Sequence, residues 1–392
     1  MNSNNNYERC QLIKDYISSK REMMLNDLQE IVSINSPSLY AQGNNAVINF
    51  LESRIRNLDM DCTKIESNPF GNCLIAELHT EQNPNVLFCG HTDTVFPLGT
   101  EWPFSVDGSR AYGPGVIDMK SGLIALVYAL NALIETGEMP VSVKILCNTD
   151  EEEGSPVSRD LLPDIIKGVN YAYILEPAEP DGRIITRRKG IGKFTISVVG
   201  KAAHAGKSPE TGANAILELA NQIIYAEGLA NKSLGTTMNT GFIEGGSSAF
   251  IVPESAQAVI ESRVLSLNEQ ERIETKLQSL STNNAVKGTT VHVSGHFHRP
   301  PLIEQEKTQH LVAAVEIAAK TLGIEVGFGM SGAASDGNNI SAMGIPVIDG
   351  MGPVGGREHS SDEYLEIESI YERSALLACS LLTLSELLNK SS

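Results

Sequence analysis

The chain has 392 residues, and its 30 Lys and Arg residues against 48 Asp and Glu residues give a net charge of −18 with the histidines neutral. This acidic balance argues against a protein that binds nucleic acids or anionic membranes, because such proteins gather Lys and Arg on one face to meet phosphates. At roughly 100–200 residues per domain, the length suits two or three domains with cores of their own and excludes a peptide or a disulfide-stapled mini-domain.

The sequence also lacks features of a secreted or membrane protein. The first residues, MNSNNNYERCQ, contain no hydrophobic signal core. Apolar runs such as residues 86–89 are far shorter than the roughly 20 residues that cross a bilayer. The six cysteines show no CxxC or Cys/His spacing, which indicates reduced thiols. We therefore expect a cytoplasmic protein with no membrane or nucleic-acid partner.

Strands and helices alternate along most of the chain. Helical periodicity predicts helices near residues 10–32, 121–136, 309–322 and 367–388, and short apolar runs predict strands at residues 86–90, 141–148, 171–175 and 345–348. This alternation predicts an α/β fold in which a mostly parallel sheet is sandwiched by helices. Functional groups in such folds lie on the loops after the carboxyl ends of the strands.

One stretch departs from this alternation. Strands with a period of two are predicted at residues 193–199, 256–264 and 289–294, with helices at residues 214–229 and 268–280. Turn-forming residues flank the stretch on both sides. We therefore predict that a first domain, formed by residues 1–188 and 303–392, is interrupted by an inserted α+β domain, residues 189–302.

Reactive side chains follow the predicted strands of the first domain. His91 and Asp93 come directly after strand 86–90, and Asp93 can hold the second ring nitrogen of His91, as partners of metal-binding histidines do. Asp118 follows the glycine-rich turn Gly113-Pro114-Gly115 at the start of a helix. A surface histidine and an ordinary helix cap are the simpler interpretations of these two patterns.

Further acidic residues and a second histidine follow other strands. Strand 141–148 leads into four consecutive acids, residues 150–153, whose mutual repulsion calls for a cation or a proton unless they form a solvated turn. Glu176 follows strand 171–175, and His359 follows a strand and a glycine-rich loop. Because parallel strands bring such loops together, we expect these groups to meet at one edge of the sheet.

The residue types in this set suit metal-assisted hydrolysis. Two His, one Asp and two Glu without thiolates favour one or two divalent first-row metal ions, zinc most plausibly. Such ions lower the pKa of a bound water and polarise a carbonyl group. A spare Glu beside a ligand Glu can then take the proton of the water and transfer it to the leaving amine.

Six motifs in this order resemble those of the dinuclear zinc exopeptidase family, which includes carboxypeptidase G (glutamate carboxypeptidase), aminoacylase, acetylornithine deacetylase and succinyl-diaminopimelate desuccinylase. The resemblance covers about residues 70–375 and is closest to the carboxypeptidase G branch, from residues 91–120 and 148–152. The motifs are His91-Thr92-Asp93, residues 113–118, Asp150-Glu151-Glu152, Glu176-Pro177, residues 200–206 and His359-Ser360.

The resemblance implies two divalent metal ions per chain, most plausibly Zn²⁺, with Co²⁺ or Mn²⁺ possible. It implies that His91 and Glu176 bind one ion and that Glu152 and His359 bind the other. Asp118 would bridge the two ions. By the same resemblance, Glu151 is the general base and Asp93 is the partner of the His91 ring.

The resemblance also assigns roles to the inserted domain and to possible substrate contacts. The inserted domain would be a lid and a homodimerisation domain, from which His204 reaches the active site of the partner subunit to stabilise the tetrahedral oxyanion. Arg263 falls where family members bind a substrate carboxylate, although an exposed strand residue is an equally good interpretation. Ser335 and Asp336 would line the substrate pocket.

One position departs from the family pattern. Phe250 stands where the family usually has an Asn that helps to hold the substrate carboxylate or carbonyl oxygen. An apolar or bulkier acyl group is therefore an alternative to a glutamate-type substrate. We expect a hydrolase that cleaves the amide bond of a small peptide or an N-acyl amino acid. The alternatives are an N-acyl-amino-acid deacylase and a catalytically silent binding protein on the same scaffold.

Overall fold

The computed structural model describes residues 2–80, 84–100 and 102–391, and these residues form two compact units. The larger one, called the main unit, comprises the described residues of Met1–Thr186, Glu304–Met330 and Ser335–Ser392. The smaller one, called the inserted unit, comprises Arg187–Ile303 and Ser331–Ala334. The role of the inserted unit as a lid and dimerisation domain stays a prediction.

The secondary structure begins with three helices and ends with a long one. The first part of the chain contains α1 (Asn2–Ser19), α2 (Arg21–Val32), α3 (Ala41–Arg56), β1 (Asp61–Ser67), β2 (Gly71–Leu78), β3 (Asn85–His91), β4 (Ser105–Asp107), β5 (Arg110–Tyr112), a π-helical turn (Val116–Lys120), α4 (Ser121–Glu135), β6 (Ser142–Asn148), a 3-10 turn (Glu151–Glu153), α5 (Ser158–Ile165), β7 (Tyr171–Ile174) and β8 (Ile184–Arg188). The middle part contains β9 (Gly190–Val199), β10 (Ala203–His204), α6 (Ala215–Glu227), β11 (Thr237–Gly245), β12 (Ile251–Val252), β13 (Ser255–Val264), α7 (Leu267–Gln278) and β14 (Thr290–Arg299), with 3-10 turns at Pro209–Thr211, Lys232–Leu234 and Ser279–Thr282. The last part contains α8 (Thr308–Leu322), β15 (Phe328–Ser331), α9 (Asp336–Ala342), β16 (Val347–Ile348), β17 (Gly355–Gly356), β18 (Tyr364–Glu366) and α10 (Ile367–Ser391).

A six-stranded sheet in the order β1-β2-β6-β3-β7-β16 forms the centre of the main unit. Strands β6, β3, β7 and β16 are parallel, whereas β2 pairs antiparallel with β6 and β1 antiparallel with β2. Every residue of β6 and β7 is buried, as expected for parallel strands covered on both faces. The predicted α/β fold with a mostly parallel sheet is confirmed, and the antiparallel hairpin of β1 and β2 is an addition to it.

The predicted helix over residues 10–32 is wrong in one respect, because the structure has two helices there. The break lies at Lys20, whose backbone leaves the helical conformation (φ −107°, ψ 4°). Just before it, the Ser19 hydroxyl donates to the carbonyl oxygen of Tyr16. Serine competes in this way for the backbone hydrogen bonds of a helix, which explains why a continuous apolar period does not give one continuous helix.

Helix α4 is buried at twelve of its fifteen residues and packs against α10 and α1. Together with the preceding turn it forms an apolar segment, Val116–Glu135, that is long enough to span a membrane by length and composition. However, 83% of its apolar window is buried inside the protein. A helix that is apolar all round is typical of a protein core.

A second, smaller sheet of the main unit has the order β17-β18-β5-β4 and is antiparallel throughout. Tyr364 of β18 pairs with Tyr112 of β5 on one side and with Gly356 of β17 on the other. The loop after β5 and the loop after β17 therefore start on opposite sides of β18, both level with Tyr364. These two loops contain Asp118 and His359.

The inserted unit is an antiparallel sheet in the order β11-β13-β9-β14 with helices α6 and α7. Burial alternates along β13, so that one face carries core residues such as Ile260. The helices begin at capping side chains: Asn214 accepts from the Leu217 N–H group, and Ser266 accepts from the Glu269 N–H group. Such caps satisfy N–H groups that have no partner within the helix.

Candidate metal centre

The carboxyl ends of three adjacent parallel strands place one histidine and several carboxylates at one edge of the main sheet. β3 ends at His91, β6 leads into the turn Glu151–Glu153, and β7 is followed by Glu176. His91 and Glu176 are buried. Because β6, β3 and β7 are neighbours in the sheet, side chains that are far apart in the sequence meet here, as the sequence predicts.

Two loops complete the cluster. The turn Val116–Lys120 after β5 contains Asp118, whose backbone is not helical (φ −109°, ψ 94°), and the peptide bond between Asp118 and Met119 is cis. The loop between β17 and β18 contains His359, which has a positive φ of 60°. The small sheet of the main unit holds both loops at the end of the main sheet.

The ligand atoms fall into two groups, and within each group all of them lie within 4.8 Å of one another. The inner group is His91, Asp118 and Glu176, and the outer group is Asp118, Glu152 and His359. Asp118 belongs to both, because its two oxygens face in different directions. Its Oδ1 lies 3.1 Å from His91 Nε2, and its Oδ2 lies 3.2 Å from His359 Nε2.

The remaining distances are similarly short. Glu176 Oε1 lies 3.7 Å from His91 Nε2 in the inner group, and Glu152 Oε2 lies 3.3 Å from His359 Nε2 in the outer group. All five predicted ligand residues are therefore brought together, and Asp118 is common to both groups.

Asp93 connects the ends of β3 and β6. The Nδ1 of His91 lies 3.0 Å from the Asp93 carbonyl oxygen and 3.3 Å from its Oδ1. The Asp93 carboxylate also accepts from the backbone N–H groups of Glu151 and Glu152, each at 3.2 Å, and from the Ser38 hydroxyl at 2.7 Å. The His91 proton is thus held on Nδ1, and Nε2 faces the cluster. Sequence reasoning missed Ser38, which lies in no motif.

The crowded carboxylates and the two imidazoles shift each other's pKa values. Hydrogen bonds to two carboxylates, that of Asp118 first, raise the pKa of His359 to about 10. Burial alone would lower the pKa of His91, but hydrogen bonds to carboxylates raise it well above its usual value. Burial raises the pKa of Glu176. Burial would also raise the pKa of Asp118, but hydrogen bonds with the two histidines hold it below its usual range.

These shifts test whether the cluster fits metal ions. Three carboxylates and two imidazoles in a largely buried space require positive charge, which the imidazole protons supply in the protein alone. Divalent cations would supply the same positive charge. They would also accept the lone pairs of the Asp118 oxygens and of the two Nε2 atoms, which face one another within the groups. A mixed nitrogen and oxygen donor set without sulfur suits zinc, cobalt or manganese.

Glu151 has a different environment from the ligand residues. It belongs to neither group, and its side chain is half-buried. Its backbone N–H group donates to the Asp93 carboxylate, which fixes its position beside Glu152. Its own carboxylate belongs to neither of the two candidate groups.

His204 and Arg263 lie in the inserted unit. His204 is exposed, and its Nδ1 accepts from the N–H groups of Gly206 at 3.1 Å and Lys207 at 3.2 Å. In the neutral ring the proton is therefore on Nε2, the outward nitrogen. Arg263 is one-third exposed, and its Nε lies 2.7 Å from Glu261 Oε1.

Two predicted substrate contacts, Ser335 and Asp336, are buried instead of facing solvent. The Ser335 side chain caps α9 and donates to Asp349. Asp336 accepts from Asn148 and Ser155. Both side chains are buried and hydrogen-bonded to other residues of the protein. This placement favours a role in supporting the nearby loops over direct contact with a substrate. The contact with substrate stays a prediction.

The model of peptidase family M20/M25/M40 matches residues 87–383. The chain belongs to this family. Carboxypeptidase G2 from Pseudomonas sp. (strain RS-16) is 29% identical over 372 residues, which cover 92% of this chain and 89% of that protein. Succinyl-diaminopimelate desuccinylase from Ehrlichia ruminantium (strain Gardel) is 27% identical over 380 residues, which cover 88% of this chain and 93% of that protein.

Solved structures support the same fold. Aminopeptidase PepT from Bacillus cereus superposes with a TM-score of 0.80 at 22% identity, over 93% of this chain and 98% of that chain. The predicted family resemblance is confirmed. The family consists of metal-dependent peptidases and amidohydrolases that bind a pair of metal ions, and this chain is an enzyme of that kind.

Proposed function

We propose that this enzyme cleaves the amide bond of a small peptide or an N-acyl amino acid, with two divalent metal ions held by the inner and the outer group. One observation carries the proposal: the two carboxylate oxygens of Asp118 face His91 and His359 respectively, at 3.1 and 3.2 Å. A carboxylate so placed is suited to bridge two ions. Zn²⁺ is the proposed metal, because imidazole and carboxylate groups are among its usual donors and are those of catalytic sites such as the His₂Glu type.

Bound metal ions would lower the pKa of a water molecule and polarise the scissile carbonyl group. Glu151 is the proposed general base, because it lies beside the candidate ligand Glu152 without belonging to either group. Its carboxylate takes a proton from the attacking water and delivers it to the nitrogen of the leaving amine. Asp93 orients the His91 ring and both backbone N–H groups of the acidic turn.

His204 is the proposed donor to the oxyanion that forms during the attack, in the active site of a partner subunit. Two N–H groups hold its Nδ1 as an acceptor, which leaves a proton on the exposed Nε2. A donor fixed in advance in this way needs no reorganisation when negative charge develops.

A homodimer through the inserted unit is part of the same proposal. Four large apolar side chains are 47–73% exposed on this unit: Leu217 and Ile224 on α6, and Phe242 and Ile243 on the edge strand β11. Exposed apolar patches of this kind mark contact surfaces. The six cysteines are free and five of them are buried, which supports the proposed location in the reducing cytoplasm.

The substrate proposal depends on two residues of the inserted unit. Arg263, which is partly exposed, is proposed to bind a substrate carboxylate. Phe250 has a side chain that is 78% exposed, and its carbonyl oxygen accepts from Ala205 N–H at 3.0 Å. An exposed aromatic ring on a backbone held by this hydrogen bond favours an apolar acyl group, so that an N-acyl-amino-acid deacylase is the second candidate.

The proposal can be tested with purified protein loaded with Zn²⁺, Co²⁺ or Mn²⁺. We expect hydrolysis of at least one N-acyl amino acid or dipeptide in a panel with acidic, apolar and aromatic acyl groups, and its loss with a chelator. Glu151→Gln should lower the rate about 10²–10⁴-fold while two ions stay bound.

The matched control is Glu153→Gln, which changes an exposed acid of the same turn and should leave the rate unchanged. An unchanged rate for Glu151→Gln would contradict the general-base assignment. A faster reaction with aromatic than with acidic acyl groups would favour the deacylase.

A further inference from the structure

Glu363 is a fully buried carboxylate that belongs to neither candidate group. Its side chain is 0% exposed, and its charge interacts with that of the buried Lys120. A buried charge of this kind requires other partners. Those partners are backbone N–H groups of the turn that contains Asp118.

Three N–H groups of this turn donate to the Glu363 carboxylate. Its Oε1 accepts from Ile117 at 2.8 Å and from Asp118 at 3.1 Å, and its Oε2 accepts from Gly115 at 3.2 Å. Buried N–H groups without a partner would destabilise this conformation of the turn. Glu363 therefore fixes the backbone that presents the bridging carboxylate.

The position of Glu363 in the chain gives this contact a second consequence. Glu363 follows His359 by four residues, and its N–H group donates to the Ser360 carbonyl oxygen at 3.1 Å. It directly precedes β18, which pairs with β5, the strand before the Asp118 turn. One side chain thus ties the loop of His359 to the turn of Asp118.

We propose that Glu363 is a positioning residue that sets the metal occupancy of the outer group. It keeps the Asp118 carboxylate and the His359 imidazole at the separation that a shared ion requires. The inner group depends on it less, because His91 and Glu176 are placed by strands β3 and β7 of the main sheet. This inference rests on the proposed function, since it requires bound ions.

The test is a titration of the metal-free protein with Zn²⁺ and with Co²⁺, followed by calorimetry and by the visible absorption of bound Co²⁺. We expect the wild type to bind two ions. Glu363→Gln should bind the outer ion about 10–100-fold more weakly than the wild type does, with a smaller loss for the inner ion, since Asp118 also belongs to the inner group. The glutamine keeps the size of the side chain but turns an NH₂ group towards N–H donors.

The matched control is Glu366→Gln. Glu366 lies on the same small sheet, but its carboxylate pairs with Arg110 at 2.7 Å and does not contact the turn. This variant should bind both ions like the wild type. The unfolding temperature of each metal-free protein separates a positioning role from a merely structural one. A lower unfolding temperature of Glu363→Gln with wild-type affinity for both ions would overturn the proposal.

Two further variants complete the design. If Glu363→Gln does not fold, Glu363→Asp keeps the charge but shortens the side chain by one methylene, and wild-type affinity of this variant for both ions would equally overturn the proposal. Asp118→Asn tests the proposed function separately, because it should weaken both ions. A wild type that binds neither Zn²⁺ nor Co²⁺ would overturn both ideas, whereas an unaffected Glu363→Gln beside an impaired Asp118→Asn removes only the inference about Glu363.

Discussion

The inner and the outer group share Asp118 but differ in how the protein holds their other members. In the inner group the side chains of His91 and Glu176 are 2% and 11% exposed, and both follow strands of the main sheet. In the outer group the side chain of His359 is 54% exposed and lies in a loop. The other outer member, Glu152, follows strand β6 and its side chain is only 8% exposed, so the two groups differ mainly in their histidines: one lies at a buried strand end and the other in an open loop.

This difference leads us to expect that the two groups hold their metal ions with different strength. Side chains on buried strand ends are restrained by packing and by hydrogen bonds such as that of the His91 Nδ1 with Asp93. A loop histidine open to solvent is restrained less, and solvent can reach its ring. We expect the inner ion to be retained and the outer ion to exchange. The following experiments test this comparison.

The largest effect is expected for Asp118→Asn, because it changes the one residue that both groups share. The amide keeps the shape of the side chain but removes the negative charge, so both ions should bind weakly and hydrolysis should fall by more than the roughly 10²–10⁴-fold expected for loss of a general base. Metal analysis after gel filtration measures the result. Retention of two ions per chain would show that Asp118 does not bridge them.

The next largest effect separates the two histidines. His359→Ala should keep one ion per chain and fold like the wild type, since His359 is half-exposed. His91→Ala should lose the inner ion and also unfold at a lower temperature, because it leaves the buried carboxylate of Asp93 and the partly buried carboxylate of Asp118 without this partner. Metal content and thermal unfolding of both variants are the measurements. Equal behaviour of the two variants would refute the distinction between the groups.

Chelator kinetics test the same distinction in the unmodified protein. During dialysis against a chelator we expect two phases, with one ion per chain leaving quickly from the outer group and the second leaving slowly. In His359→Ala the fast phase should be missing. Release of both ions in a single phase from the wild type would mean that solvent access does not control retention.

The smallest effect is expected for Ser38→Ala, which removes one of several donors to Asp93. The free energy of unfolding should fall by about 1.5–3 kcal/mol, because the lost hydrogen bond has a charged acceptor. Ser36→Ala is a matched control: Ser36 is equally buried, but its hydroxyl donates to the neutral Thr92 carbonyl at 2.8 Å. Denaturant unfolding measures both. A larger loss for Ser36→Ala would contradict the importance of Asp93 as the acceptor that connects the ends of β3 and β6.

The sequence predicts two members of the inner group well, because each of them is recognised from the strand that directly precedes it. His91 and Glu176 each come directly after an apolar run, and the rule that parallel strands end at one edge suffices to bring them together. The motif resemblance adds Asp118 and His359, which lie in loops whose paths no periodicity reveals. The small sheet that joins these loops consists of strands of two or three residues, too short to predict from alternation.

The supporting side chains could not be predicted. Ser38 lies 55 residues from Asp93 in the sequence, and Glu363 lies 245 residues from Asp118. Their contacts arise only when the chain has folded, and neither residue stands in a pattern that indicates a partner. The hairpin of β1 and β2 is not predicted for a related reason: β1 is a largely exposed edge strand, and five of its seven residues are polar or charged.

A carboxylate shared by two sites also has a thermodynamic consequence. If ions occupy both groups, the two binding equilibria are linked through Asp118: whatever the first ion does to the affinity for the second, the second does to the affinity for the first, by the same factor. Occupancy would then follow the free metal concentration as a coupled curve, which is not the sum of two independent saturations. The position of one side chain would thus determine how steeply this enzyme responds to the metal supply of the cell.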